Sequence, residues 1–91
     1  MEIKLEPSLS HCIETVAKRE YERVLSLLLR GKQEDSQLEE ELELLRMFLE
    51  SADFSELRSQ CEEFLLSGRQ IEVRLRSTSV LPKYEIEINE V

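Results

Sequence analysis

Apolar and polar residues alternate from the first position: Met1, Ile3 and Leu5 fall on one side, Glu2, Lys4 and Glu6 on the other. A period of two sends successive side chains to opposite faces of an extended chain, so residues 1–6 are predicted to form a short, half-buried strand, ended by Pro7. From about residue 10 the period lengthens. Ile13, Val16, Ala17, Tyr21, Val24, Leu27 and Leu28 recur at helical spacing up to Gly31, which predicts a helix over about 10–30. Leu38, Leu42, Leu45, Leu49 and Ala52 form the stripe of a second helix over about 36–52. Ser36 and Glu39 are spaced as a capping box at its start. Asp53 and Glu56 repeat that spacing before Phe54, Leu57, Cys61, Phe64 and Leu65, which predicts a third helix over about 54–67, stopping before Gly68. Beyond Gly68 the period returns to two. Ile71, Val73 and Leu75 alternate with Glu72, Arg74 and Arg76; Tyr84, Ile86 and Ile88 alternate with Glu85, Glu87 and Asn89. These are read as strands over about 70–77 and 83–90, joined by a loop that keeps Pro82 out of the ladder.

The order is therefore β-ααα-ββ. Strands with one apolar and one charged face belong to antiparallel sheets, and helices laid on the apolar face bury both surfaces. The expected fold is α+β: a two-layer sandwich with three helices packed on one face of a small, mostly antiparallel three-stranded sheet. At 91 residues, one domain spanning 1–91 accommodates the whole pattern. The order of strands in the sheet does not follow from periodicity, because three helices can return the chain to either side of the hairpin.

Composition narrows the setting. With 41% hydrophobic and 35% charged residues, and only two glycines and two prolines, the chain has the make-up of a folded, helix-rich globule. Its apolar runs, such as Leu27 to Leu29, fall far short of the roughly 20 residues of a membrane-spanning helix. The alternating N-terminus lacks the basic and apolar succession of a secretory signal, so a cytoplasmic location is expected. Cys12 and Cys61 lie on different predicted helices and are read as reduced packing residues.

Little in the chain carries chemistry. The single histidine, His11, stands beside Cys12 near the start of the first helix, without the close ligand pairs of a zinc site. No phosphate-binding glycine loop or nucleophile motif occurs, so no metal, cofactor or catalytic residue is assigned. Glu20 is the anomaly. At 100° per residue it falls inside the apolar arc of the first helix, where a carboxylate needs a partner such as Arg58. If it instead lined a cleft, it would mark a small-molecule site or a minor enzymatic centre.

Charge is placed more tellingly. Between Lys32 and Glu63, three bases (Lys32, Arg46 and Arg58) stand against eleven acids, an excess equal to the entire net charge of −8. Glu34, Asp35, Glu39, Glu40, Glu41 and Glu43 crowd the start of the second helix. Acids in a first turn suit the helix dipole, but the shortage of bases persists to Glu63. Such a face repels nucleic-acid phosphates and attracts basic surfaces. Apolar residues are also in surplus: Leu44, Met47 and Phe48 lie off the stripe of the second helix, and Leu25 and Leu29 off that of the first. Either the second helix is sandwiched, or Leu44 and Met47 contact another chain, giving a homodimer. The expectation is a non-catalytic protein-interaction module, an acidic adaptor, inhibitor or assembly factor. It would dock a basic protein through Glu39, Glu40, Glu41, Glu43, Leu44 and Met47. The alternatives are the Glu20 cleft or a structural subunit of a larger assembly, touched through Met47, Leu44 and the strand edges.

Overall fold

The three alternating stretches become the strands of one antiparallel sheet, and the three helical stretches cover its apolar face. The computed structural model describes residues 1–31 and 36–91. Its elements are β1 (Glu2–Leu5), α1 (Ile13–Arg30), α2 (Ser36–Ser51), α3 (Phe54–Leu66), β2 (Ile71–Ser77) and β3 (Tyr84–Glu90). The sheet order is β1-β2-β3, with Glu2 opposite Arg76 and Arg76 opposite Glu85. The middle strand is the best covered: Ile71, Val73 and Leu75 are buried, whereas Ile86 and Ile88 on the edge strand β3 are half-buried. The mixed α+β fold in β-ααα-ββ order is thus observed, and the strand order is resolved. Among the described residues, no helix is long and apolar enough to cross a membrane.

The helix ends differ in part from the sequence pattern. α1 begins at Ile13, not near Ser10. Ser8 closes a turn with His11, its hydroxyl accepting from the His11 N–H at 3.1 Å and its own N–H donating to the His11 carbonyl at 2.8 Å. Local serine bonding of this kind competes with helix, so Cys12 becomes the extended N-cap and His11 stays outside. α2 begins at Ser36; Lys32, Glu34 and Asp35 of the charged run before it lie outside the described residues. The Asp53 cap forms as expected, its carboxylate accepting from the Glu56 N–H at 3.1 Å. The Glu56 carboxylate accepts from the Gln60 side-chain amide at 3.5 Å in place of the reciprocal bond. At the other end of α3, Gly68 has φ +79°. The Gly68 and Arg69 N–H groups turn back to the carbonyls of Leu65 and Phe64, a Schellman closure that favours glycine there. Gly31, with φ −67°, ends α1 without using that freedom.

The core explains the apolar surplus of α2. This helix packs against α1 on one side and against β2 and β3 on the other. Its apolar arc is wide because it has two neighbours to satisfy. Leu44, Leu45 and Phe48 are at most 1% exposed, and the half-buried Met47 packs against the same core. Leu44 is therefore a core residue and not a contact for another chain, which corrects its assignment to a partner surface. The Phe48 ring stands edge-on to Phe54 and Tyr84, with centroids 5.2 and 5.9 Å away. Tyr84 reaches Ser51 Oγ at 2.6 Å, and Ser51 donates to the Met47 carbonyl at 2.6 Å, so the phenol's polar end is satisfied beside the aromatic cluster. On α1 the buried set ends at Val24. Leu27, expected in the core, is 41% exposed, and Leu29 is 78% exposed.

Candidate interaction surface

The two broad faces of the sandwich carry different electrostatics. On the open face of the sheet, strand alternation brings out Glu2 and Lys4, then Glu72, Arg74 and Arg76, then Glu85 and Glu87. Antiparallel register sets opposite signs side by side. Arg76 is the hub: its Nε lies 2.9 Å from Glu2, its Nη1 3.4 Å from Glu85, and its remaining nitrogen bonds Glu87. Arg74 binds Glu72 at 2.9 Å. The Arg76 guanidinium holds the Glu2 carboxyl below its ordinary range, with Arg74 and Lys4 adding to the effect. This face largely neutralises itself.

The helical layer does not. Arg46 on α2 is shared between Glu43, one turn before it, and Glu50, one turn after it, at 2.9 Å from the latter. Its charge pulls Glu43 below the usual carboxylate range, the hydrogen bond between them being the main cause. Arg58 on α3 is taken by Glu62 at 3.0 Å, not by Glu20. Both arginines of these helices are thus committed. Glu39 and Glu40, exposed near the start of α2, and Glu56 and Glu63, exposed on α3, have no ion-pair partner among the described residues. Glu41 is set apart. It is half-buried, and its charge is felt by Arg23 of α1.

Glu20 is at the edge of the core, not inside it, with its side chain 26% exposed. Arg23 on the same helix neutralises it, with Nε 3.1 Å from both carboxylate oxygens. Helical neighbours three apart meet in this way, so the pair was visible in the sequence had the search for a partner stayed on the same helix. Glu20 lines a shallow, open groove of about 320 Å³ with Glu6, Ser8, His11, Val16, Arg19 and Arg23.

Sequence reasoning missed a second corner. Cys12, as the N-cap of α1, shares a groove of about 340 Å³ with Phe54, Arg58 and Glu62 of α3, and a smaller cavity of about 30 Å³ with Cys61. Both thiols are free. The Thr15 hydroxyl, 3.4 Å from Cys12 Sγ, holds that thiol below its ordinary range, helped by the Thr15 and Glu14 amides and the charge of Arg58. Burial pushes the Cys61 thiol up. The signal in the sequence was a cysteine three residues before a threonine at a helix start, an unusual N-cap. Among the described residues, no group of three or more His, Cys, Asp and Glu side chains is placed to hold a metal ion.

Comparison with known proteins finds a relative but no function. The chain is 46% identical over 68 residues to an uncharacterised protein of Archaeoglobus fulgidus, covering 72% of this chain and 76% of the relative. No solved structure matches it. A protein-family model spans residues 1–87, from β1 through most of β3, and the chain belongs to that family.

Proposed function

We propose that the protein is a non-catalytic interaction module of the cytoplasm that docks a basic protein surface through the N-terminal half of α2. The observation that carries this reading is the pair Glu39 and Glu40: both are exposed, and neither has a cation beside it among the described residues, while Arg46 is already held by Glu43 and Glu50. An uncompensated acidic surface next to a self-neutralised sheet favours basic partners and disfavours nucleic acid. Leu44 drops out of the docking set because it is buried. Met47 and Glu41 are half-buried, so each contributes at most its exposed part.

The test is affinity capture of the tagged full chain in native lysate at rising salt, beside a Glu39→Gln/Glu40→Gln/Glu43→Gln variant and a Glu41→Gln control. Support is a basic protein retained at low salt, released as screening increases, lost with the triple variant and kept by the control. Retention unchanged by the triple variant, or no basic protein retained even at low salt, overturns the reading.

A further inference from the structure

The sheet has two open edges, β1 and β3, and they are not equivalent. The Ser77 N–H donates to the Met1 carbonyl at 3.2 Å. Bonded and non-bonded pairs alternate along an antiparallel ladder, so the backbone groups of Met1, Ile3 and Leu5 face β2, and those of Glu2 and Lys4 face outward. The two residues that offer N–H and C=O groups at the β1 edge are therefore the two whose side chains are charged, with opposite signs.

Two rows of outward side chains cross the sheet to this edge. One runs Glu85, Arg76, Glu2; the other runs Glu87, Arg74, Lys4. The first ends in an acid. The second ends in two adjacent cations: Lys4 lies directly opposite Arg74, is 58% exposed, and has only Glu72 at 4.0 Å. An open row ending in like charges is unfavourable and is relieved by an acid arriving from outside.

We infer that the occupant of this edge is a second copy of the chain, its β1 paired antiparallel to the first about a two-fold axis at Ile3. That centre sets Glu2 opposite Lys4 of the second copy, and Lys4 opposite its Glu2. Each row continues into its complement, Glu85-Arg76-Glu2 into Lys4-Arg74-Glu87, and the three-stranded sheets join into one of six strands. The outward backbone groups of Glu2 and Lys4 form two bonded pairs, and Met1, 39% exposed, comes to lie opposite Leu5 of the other copy. A lysine on an edge strand commonly guards against pairing. Here it guards against strands lacking an acid at that position, which the chain itself supplies. The β3 edge offers nothing comparable, because its outward positions Glu85, Glu87 and Asn89 hold no cation and no two-fold pairs opposite charges there. This inference is independent of the acidic surface on α2.

The experiment is sedimentation equilibrium of the full chain up to about 1 mM, since a four-residue edge makes a small, weak interface. A reversible dimer is expected, weakened by salt. Glu2→Lys or Lys4→Glu alone converts two attractive pairs into two repulsive ones and should raise the dissociation constant about tenfold or more. The double variant E2K/K4E restores the pairing and should recover the dimer. Circular dichroism establishes that each variant is folded. Hydrogen exchange on the unmodified protein provides a readout that needs no variant: protection of the Glu2 and Lys4 amides should rise with concentration. A monomer throughout the range, single variants that dimerise as tightly as the parent, a double variant that stays dissociated while folded, or amide protection unchanged across a dimerisation would each overturn the inference.

Discussion

Replacing Leu44 by alanine tests the placement of α2 between α1 and the sheet. The side chain is 1% exposed and sits beside Leu45 and Phe48 in the shared core. Alanine removes three carbons from a closed site, and buried leucine-to-alanine changes cost about 2–5 kcal/mol through lost transfer energy and the cavity left behind. A chain of this length has a total stability of about 5–14 kcal/mol, so a loss of about 3 kcal/mol is a large share of it. The corresponding fall in melting temperature is about 12–24 °C at the few degrees per kcal/mol typical of domains this size. Urea unfolding followed by circular dichroism should show the midpoint lowered by about 1–3 M with an unchanged slope. Leu29→Ala is the control: at 78% exposure it should change stability by no more than about 0.5 kcal/mol. Had Leu44 been a contact for another chain, its truncation would weaken association and leave the folded monomer intact. A loss below about 1 kcal/mol at unchanged slope would refute the sandwiched placement.

Three further outcomes follow from the local chemistry. Asp53→Ala removes the carboxylate that accepts from the Glu56 N–H and should cost about 1 kcal/mol in urea unfolding, with Asp53→Asn losing little. Iodoacetamide should label Cys12 in the native state, with a rate that rises at lower pH than for an ordinary thiol, and should reach Cys61 only on unfolding; mass spectrometry of the two peptides reads both. Because the folded-state pKa of Glu2 is depressed from 4.5 by its bond to Arg76, that contribution to stability is present above the unfolded value and lost as pH falls through the folded one. Arg76→Gln should therefore flatten the dependence of unfolding free energy on pH below about 4.5, measured by urea titration at several acid pH values.

Much of the architecture could be read from periodicity because each element has one side to bury. The alternation of Ile71, Val73 and Leu75 with Glu72, Arg74 and Arg76 fixes which face of β2 meets the helices, and the Asp53 and Gly68 signals bracket α3 closely. Where an element has two neighbours, the same method loses its answer. Leu44 and Met47 lie off the main stripe of α2, and periodicity alone cannot say whether another layer of the same chain or another chain covers them. The start of α1 was misplaced for a local reason: the Ser8–His11 turn is a hydrogen-bond preference that hydrophobic spacing does not register. Glu20 was placed by angle on the apolar side, but angle carries no depth. A side chain at the margin of the arc reaches Arg23 one turn along, and so needs no distant partner.

The two charge patterns together restrict how copies of the chain can meet. A two-fold contact whose axis passes beside Glu39 and Glu40 at the start of α2 sets those acids close to the same residues of the other copy, with Arg46 already bound to Glu43 and Glu50. Like charges in that arrangement are repulsive, so a self-contact centred there is disfavoured, whereas the docking proposed for α2 brings a basic surface to the same acids. The β1 edge has the reverse property: Glu2 and Lys4 complement each other across a two-fold, while neither matches an exclusively basic strand at both positions. The proposed self-association and the proposed partner docking thus use different elements, the sheet edge and α2. They also respond differently to substitution. Charge reversal at Glu2 or Lys4 should leave capture of a basic protein by α2 unaltered apart from any avidity, and neutralising Glu39 and Glu40 should leave the dimer at least as tight as before. If neutralising those two acids instead weakened the dimer, α2 would be part of the self-contact and this division of roles would be wrong.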